Sequence, residues 1–372
     1  MVAERSVDLA LFLATSGHSG VDRVMSNLIE EIAGRGVPID LLRIAGHGPH
    51  LREVPPGVRL VDLGTAHVAT SFWPLVRYLR RERPAAMLSD KDRLNRYALW
   101  ARRISGVSTR VGVRMGTTVS ENLSRRSRFA RWLQYTSIRR FYPWADAVLV
   151  PSRGAADDLI AIGELDPAKV KVVPSPIVNE RLFRMAAEPC CHPWFSLQGE
   201  LVVLGVGELC ERKDFATLLR AFALVRRTRA VRLIILGEGR KRSDLEALAR
   251  DLGVAEFCQL PGFEKNPYAY MARAGLFVLS SRCEGAPVVL MEALACGVPV
   301  VSTDCPSGPR EILRDGKFGP LVPVGDAEKL AEAMLLMLRH PLDGEMLRRG
   351  AEPYRTSLSA DAYLAALGLG DA

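Results

Sequence analysis

The sequence of 372 residues lacks long apolar runs. A membrane-spanning helix needs roughly 18 consecutive apolar residues, and no uninterrupted run approaches that length. Residues 1–17 also lack the layout of a signal peptide, because charges stand directly before a short apolar run. The seven cysteines include no CxxC spacing, and Cys190, Cys191 and His192 stand together without a second pair of ligands. We therefore expect reduced thiols, no metal site and a cytoplasmic protein.

The sequence also lacks a Gly-x-Gly-x-x-Gly turn after the first apolar run of either half, at residues 7–15 and 201–207. A dinucleotide-dependent dehydrogenase therefore loses its main support. The composition, with 48% hydrophobic and 25% charged residues, is that of ordinary globular proteins. A length of 372 residues suits two α/β domains.

Acidic residues are scarce in one stretch. From Arg77 to Arg140 there are 17 Lys or Arg against 4 Asp or Glu, a local net charge of +13, whereas the whole chain carries +8. This excess indicates an anionic partner, either nucleic acid or an anionic membrane surface. Because no nucleic-acid recognition motif is recognisable, we expect a membrane surface and no nucleic acid.

Apolar β-branched runs alternate with helical patterns, which is typical of parallel sheets joined by crossover helices. Strands are predicted at residues 7–15, 39–44, 85–88, 111–114 and 147–150, and again at 201–207, 231–237, 276–281 and 298–303. A segment with several Pro and Cys residues, 174–193, separates the two sets. We therefore predict an α/β fold with two Rossmann-like domains, residues 1–180 and 181–372. The pattern leaves open which domain holds the last helix, near residues 360–369.

The most specific segment is SSRCEGAPVVLMEALACGVPVVST, residues 280–303, where a strand leads to a turn with Glu284 and then to a helix with Glu292. The free N–H groups of Val288 and Val289 at the helix start favour an anion, such as a diphosphate. Glu292 suits hydrogen bonds from ribose hydroxyls, and the alternative is a solvated helix carboxylate.

This segment resembles the Glu-x7-Glu block of retaining glycosyltransferase family 4, whose common form reads EGFG, an apolar pair, EAMACG and PVV. The resemblance implies the GT-B architecture, with two Rossmann-like domains whose parallel sheets face each other across a cleft. It also implies that Glu284 contacts the hydroxyl groups of the donor sugar, that Glu292 contacts the ribose, and that Gly285 and Ala286 lie in the donor site.

A second segment, GELCERKDFATLLRAFALV at residues 207–225, places two cations before a helix. Asp214 is the predicted N-cap of that helix. Arg212 and Lys213 would neutralise a departing nucleoside diphosphate, and a solvated charged loop is the alternative. In family 4 the basic residues of this segment bind the donor phosphates. Since Glu208 here replaces the usual Arg, the resemblance shifts those contacts to Arg212 and Lys213.

Two further segments extend the resemblance. Residues 260–281 resemble the family's nucleobase-side loop, which implies donor contacts by Gly262 and Phe263. Residues 303–326 resemble a block that is frequent in members that build cell-surface polysaccharides. The likeness covers most of residues 200–335, so it places the nucleotide-sugar site in the C-terminal half.

The N-terminal half offers candidates for the acceptor site. A run of residues resembles the family's Gly-rich loop, which lies under the acceptor and near the donor phosphates: His18, Ser19, Gly20, Asp22 and Arg23. A structural strand-to-helix turn is the alternative. Asp92 and Asn95 follow a predicted strand, at the end where α/β folds present ligand contacts. For Asp92 itself, an ordinary N-terminal helix cap is the first expectation.

Asp90 and Asp92 form a DxD, a motif that binds a metal in a different glycosyltransferase fold. Three residues with one wildcard arise too easily by chance, so we expect no essential metal and no cofactor.

Residues 124–144 interleave Arg with Phe129, Trp132, Leu133 and Tyr135. Core packing is the usual role of such an aromatic stripe. The six Arg residues between Arg125 and Arg140 favour instead an interfacial helix on anionic lipid. This interpretation is consistent with a lipid-linked acceptor.

Together these segments predict a retaining enzyme that moves a hexose or N-acetylhexosamine from a nucleotide-sugar, with UDP favoured. The acceptor is a glycan or lipid-linked saccharide of cell-surface polysaccharide synthesis, at the inner face of the cell membrane. Some family members carry a His after the strand at residues 111–114, but Met115 and Gly116 follow here, so no general base is assigned. This fits a retaining front-face reaction, in which the leaving diphosphate can take the acceptor proton. Another GT-B nucleotide-sugar enzyme, such as an epimerase, and a basic nucleic-acid-binding protein remain alternatives.

Overall fold

The computed structural model describes residues 7–15, 20–51, 53–123, 126–196 and 200–370. Contacts divide the chain into two compact units. The N-terminal unit comprises residues 1–176 and 356–372, and the C-terminal unit comprises residues 177–355. Among the described residues, no helix has the length and apolar character needed to cross a membrane.

The N-terminal unit is built on a seven-stranded sheet. Its strands are β1 (Leu9–Phe12), β2 (Ile39–Arg43), β3 (Val58–Asp62), β4 (Ala86–Asp90), β5 (Arg110–Arg114), β6 (Ala147–Val150) and β7 (Val170–Val172). All neighbours run parallel, in the order β3-β2-β1-β4-β5-β6-β7. The order changes direction between β1 and β4, and such a switch point is where α/β sheets bind ligands at their carboxyl edge.

Helices connect most of these strands. They are α1 (Gly20–Gly34), α2 (Phe72–Glu82), α3 (Asp92–Ser105), α4 (Val119–Leu123), α5 (Arg128–Phe141) and α6 (Arg153–Gly163). Every residue of β1, β4 and β6 is buried, as expected for parallel strands that are covered on both faces.

The C-terminal unit repeats this construction with six parallel strands. They are β8 (Leu201–Val206), β9 (Val231–Leu236), β10 (Cys258–Gly262), β11 (Leu276–Leu279), β12 (Val300–Thr303) and β13 (Leu321–Val322), in the order β10-β9-β8-β11-β12-β13. Its helices are α7 (Glu180–Ala187), α8 (Phe215–Arg226), α9 (Arg242–Asp251), α10 (Pro267–Met271), α11 (Val288–Ala295), α12 (Pro309–Ile312), α13 (Ala327–Arg339) and α14 (Gly344–Ala351). Here the switch point lies between β8 and β11. The loops that follow these two strands carry Lys213 and Glu284.

The last helix, α15 (Thr356–Leu367), packs on the N-terminal unit. Its buried Tyr363 hydroxyl accepts a hydrogen bond from Arg114 Nε of β5 at 2.9 Å. Leu367, also buried, lies against Gly112 of the same strand. These contacts assign the last helix to the N-terminal unit, which the sequence pattern had left open.

Candidate active site

Glu284 lies between two cations in the C-terminal unit. Its carboxylate oxygens are 2.7 Å from Lys213 Nζ and 3.0 Å from Arg212 Nη1, and Ser281 Oγ donates to it at 2.7 Å. The side chains of Glu284 and Lys213 are only 7% and 11% exposed. This pairing excludes a freely solvated loop for Lys213, whereas the Arg212 side chain is 44% exposed.

Two hydrogen bonds between the loops hold this cluster together. Ser280 Oγ donates to the carbonyl of Lys213 at 2.9 Å, and the N–H of Arg282 donates to the carbonyl of Arg212 at 2.8 Å. The loop with the two cations follows β8, and the loop with Glu284 follows β11. Because β8 and β11 are adjacent in the sheet, they fix the distance between the cations and the carboxylate.

Gly207 makes room for the lysine. A Cβ on this residue would lie 3.1 Å from Lys213 Cε, and its backbone has φ of 159°. A side chain here would force the lysine stem to shift by a few tenths of an ångström, since Cβ contacts this short are rare.

Burial and charge act in opposite directions on Glu284. Burial alone would raise the pKa of its carboxyl group, but the charges of Lys213 and Arg212, with the hydrogen bonds from Lys213 and Ser281, lower that pKa below its ordinary value. Glu284 is therefore a carboxylate that two cations hold in the ionised state.

Asp214 precedes α8, as predicted, but its side chain caps no backbone N–H of that helix. The residue has φ of 47°, in the left-handed region, and its carboxylate accepts from Thr217 Oγ1 at 2.9 Å and pairs with Arg282 at 2.9 Å. Asp214 therefore occupies the predicted N-cap position, but its side chain binds a hydroxyl group and the loop that carries Glu284 instead of a helix N–H.

Helix α11 begins at Val288, directly after the turn that contains Gly285 and Ala286, and Pro287 occupies its N-cap position. Val288 and Val289 lie in the first turn and are partly exposed. The first N–H groups of a helix have no partner within it, so this end offers donors to an anion.

The turn before α11 is closely packed against Ser307 and Gly308. A Cβ on Gly308, which has φ of 94°, would lie 2.7 Å from Pro287 Cδ. Ser307 Oγ donates to the carbonyl of Gly285 at 3.0 Å. Glycine is therefore required at position 308, and the contact fixes the turn in place.

Glu292 is fully buried within α11, and its Oε1 accepts a hydrogen bond from the Tyr268 hydroxyl at 2.9 Å. The alternative of a solvated helix carboxylate is thus excluded. In this conformation the carboxylate is buried, so a ribose could reach it only after the side chains that cover it, such as Tyr268, move. The ribose contact stays a prediction.

Gly262 and Phe263 stand at the carboxyl end of β10. The carbonyl of Gly262 accepts from the N–H of Gly237 at 2.7 Å, and the Phe263 ring is 61% exposed. An exposed aromatic ring suits stacking against a nucleobase, and that contact also stays a prediction.

Asn95, in the N-terminal unit, is fully buried and its amide is bonded on both sides. It donates to the carbonyl of Arg114 at 2.9 Å and to the Tyr142 hydroxyl at 3.0 Å, and it accepts from Ser89 Oγ at 2.8 Å. These bonds give Asn95 a structural role, and the predicted acceptor contact is untested.

Asp92 is the first residue of α3 rather than its cap, because Lys91 occupies the N-cap position. Its carboxylate pairs with Arg96 at 3.2 Å and accepts from the Tyr142 hydroxyl at 3.3 Å. Burial raises the pKa of Asp92, against the opposing charge of Arg96. The predicted capping role is wrong.

Asp90, the other acidic residue of the DxD, pairs with the buried Arg114 at 3.1 Å.

Gly20 is exposed and begins α1. His18 and Ser19, two other members of the predicted Gly-rich loop, lie outside the described residues. Nearby, the buried Asp22 of α1 accepts a hydrogen bond from Thr15 Oγ1, just beyond β1.

Two family models match the chain in succession. The first, described as a glycosyl transferase 4-like domain, matches residues 19–176, and the second, described as glycosyl transferases group 1, matches residues 194–353. The two models together cover most of the chain, which belongs to the glycosyltransferases that combine these two domains. The second match contains the Glu284 cluster, and the first contains strands β2 to β7 of the N-terminal sheet.

A curated relative of this family member comes from Campylobacter jejuni. It is N-acetylgalactosamine-N,N'-diacetylbacillosaminyl-diphospho-undecaprenol 4-alpha-N-acetylgalactosaminyltransferase, 35% identical over 247 residues, which are 66% of this chain and 65% of that protein. The chain spans 43 to 65% of the length of the first three curated relatives that it matches.

Solved structures share the fold of this family member. Anabaena HepE in complex with UDP has a TM-score of 0.79 at 15% identity, covering 97% of this chain and 99% of that one. The apo form of the lipopolysaccharide outer core galactosyltransferase WaaB has a TM-score of 0.74 at 20% identity, with the same coverage. The likeness establishes the GT-B type of fold, two Rossmann-like domains with parallel sheets.

The sequence did not single out three residues that shape the site of this glycosyltransferase: Ser281, Arg282 and Tyr268. Ser281 stands three residues before Glu284, a local spacing that could have indicated it. Arg282 and Tyr268 reach partners 68 and 24 residues away, which no local pattern marks.

Proposed function

We propose that the protein is a retaining glycosyltransferase of cell-surface polysaccharide synthesis. It moves a hexose or N-acetylhexosamine from a nucleotide-sugar to a glycan or lipid-linked saccharide. The observation that carries this proposal is the Glu284 cluster, in which one carboxylate and two cations stand beside the start of α11.

The cluster has the charges that the donor requires. A nucleotide-sugar carries an anionic diphosphate next to a neutral sugar with several hydroxyl groups. Lys213, Arg212 and the α11 start supply donors for the diphosphate, and Glu284 supplies an acceptor for the hydroxyls. Because these cations pair with Glu284 in this structure, a bound diphosphate takes over part of their charge and releases the carboxylate towards the sugar.

In the proposed reaction the bond from the anomeric carbon to the diphosphate breaks, and a bond to the acceptor oxygen forms on the same face. The proton of the acceptor hydroxyl passes to the leaving nucleoside diphosphate, so no protein base is needed. Lys213 and Arg212 stabilise the charge that develops on the diphosphate.

UDP is the favoured nucleotide. The support comes from HepE, whose solved structure holds UDP, and from the Campylobacter relative, which by its name is an N-acetylgalactosaminyltransferase acting on a diphospho-undecaprenol substrate. The second name also supports a lipid-linked saccharide as acceptor.

Helix α5 supports docking on an anionic membrane. Phe129 and Trp132 are 70% and 59% exposed and their rings stack, and Leu133 is also exposed. This exposure rules out core packing for the three side chains. Arg126, Arg128 and Arg131 form ion pairs with none of the described residues, whereas Arg125 lies outside them. Unpaired cations among exposed rings suit an anionic lipid surface.

A transfer assay tests the enzymatic proposal. UDP-, GDP- and ADP-sugars are incubated with a saccharide on a short lipid, and the anomeric configuration of the product is read from NMR coupling constants. We expect transfer from a UDP-sugar with retained configuration. Inversion would contradict the mechanism, and an epimerised nucleotide-sugar without transfer would identify an epimerase.

Vesicle sedimentation tests the membrane proposal. Changing Arg126, Arg128 and Arg131 to Gln should weaken binding to anionic vesicles by about two orders of magnitude, at about 1 kcal/mol per charge. The matched control changes Arg227, Arg229 and Arg250 of the C-terminal unit to Gln. Equal loss in both triple variants would show a non-specific charge effect and refute docking through α5.

A further inference from the structure

Lys91 forms the whole connection between β4, which ends at Asp90, and α3, which begins at Asp92. Its backbone has φ of 76° and ψ of 141°, a conformation that residues other than glycine avoid. Such strain persists only where the surroundings impose it, and it concentrates at functional sites. A tight strand-to-helix turn of this kind presents its side chain at the carboxyl edge of the sheet.

The lysine stands at the switch point of the N-terminal sheet. Its Nζ donates to the carbonyl of Ala14, just beyond the end of β1, at 2.8 Å. The ammonium group therefore bridges β4 and β1, the two strands between which the strand order changes direction. In open α/β sheets the ligand binds in the crevice at this place.

The two acidic residues next to Lys91 in the sequence form ion pairs with other residues. Asp90 pairs with Arg114, and Asp92 pairs with Arg96. Among the described residues no carboxylate forms an ion pair with Lys91, whose side chain is exposed. An ammonium group has three donors, and the carbonyl of Ala14 uses one. A full positive charge with two remaining donors thus stands at the sheet edge.

We propose that Lys91 binds a phosphate group of the acceptor. The substrate class is then a saccharide joined to a lipid through phosphate or diphosphate. This inference rests on the proposed transferase function, which defines the acceptor. A neutral saccharide needs no unpaired cation, whereas a phosphate is anionic and accepts several hydrogen bonds from an ammonium group.

Calorimetric titration of the full chain with geranyl diphosphate tests the assignment. Lys91→Met keeps the length of the side chain and removes its charge. Arg93→Met is the matched control, because it removes an exposed charge two residues further along the chain, in α3. We expect Lys91→Met to weaken binding about 10- to 100-fold, the loss of a charge-assisted hydrogen bond, and Arg93→Met to change it by less than about twofold. Equal affinity of wild type and Lys91→Met overturns the inference.

Titration with UDP separates this inference from the proposed function. We expect wild type and Lys91→Met to bind UDP equally. If Lys91→Met weakens UDP binding and leaves geranyl diphosphate binding unchanged, Lys91 contacts the donor and the inference is wrong, while the transferase proposal stands. If wild type binds no nucleotide, the transferase proposal fails, and a loss of geranyl diphosphate binding in Lys91→Met still supports an anion site.

Lys91→Gly tests the strain. Because glycine adopts a φ of 76° readily, this variant should melt at a higher temperature than Lys91→Met, while binding geranyl diphosphate as weakly. A lower melting temperature than that of Lys91→Met would overturn the argument that function retains a strained lysine here.

Discussion

Replacing Lys213 with alanine removes the cation that lies closest to Glu284, at 2.7 Å in a largely buried pair. Arg212 and Ser281 still bond the carboxylate. We therefore expect a loss of about 1.5 to 3 kcal/mol in the free energy of unfolding, the usual contribution of a hydrogen bond to a charged group. Removing the only partner of a buried charge would cost more, about 3 to 5 kcal/mol.

The effect on catalysis should be larger than the effect on stability. Loss of one preorganised donor at a developing charge costs about 2.7 to 4 kcal/mol, which corresponds to a 100- to 1,000-fold decrease in kcat. KM should change less, because the charge on the leaving diphosphate grows towards the transition state. Steady-state kinetics with varied UDP-sugar give kcat and KM, and urea unfolding gives the stability.

The matched control is Lys329→Ala, which removes an exposed lysine from α13. Neither stability nor kcat should change measurably in that variant, because exposed ion pairs contribute little. If Lys213→Ala retains the kcat of wild type, Lys213 does not stabilise the leaving group and the reasoning is refuted.

Three further variants probe the carboxylates. Because the pKa of Glu284 is lowered below its ordinary value of 4.5, its charge stabilises the folded protein above that pH. The stability difference between wild type and Glu284→Gln in urea unfolding should therefore shrink as the pH falls below 4.5, and a constant difference would contradict this cause. Glu292→Gln keeps the size of the side chain but removes its charge. We expect calorimetry to show at least about tenfold weaker UDP binding, because a charge-assisted hydrogen bond to the ribose is lost. Unchanged affinity would refute the ribose contact. Because burial raises the pKa of Asp92, its charge disfavours the folded state at neutral pH. Asp92→Asn should stabilise the protein at pH 7 and lose this advantage near pH 3.5, and the same gain at both values would contradict that cause.

The sequence predicted the central strands of both sheets and missed strands at their edges. The four missed strands are β3, β7, β10 and β13, and each is the first or last of its sheet. Edge strands here are short or partly exposed, and β10 contains Pro261 and Gly262. The continuous apolar run that marks a buried parallel strand is therefore absent from them.

The candidate site was predictable where its residues are close in the sequence. Glu284 and Glu292 share one turn and helix, and the two cations precede the start of α8. What could not be predicted depends on contacts between distant segments, such as the ion pair of Lys213 with Glu284 and the burial of Glu292 under Tyr268. The strain at Lys91 arises because a single residue connects β4 and α3, and helix and strand bounds are not read from a sequence to one residue.

The central claim is that the Glu284 cluster binds the diphosphate of a nucleotide-sugar, and calorimetric titration of UDP tests it most directly. Wild type should bind UDP, and UDP at 100 times its Kd should stabilise the protein by about 2.7 kcal/mol. The double variant Arg212→Gln with Lys213→Gln should lose most of this affinity, and Lys329→Ala should keep it. Equal affinity of the double variant and wild type would contradict the account.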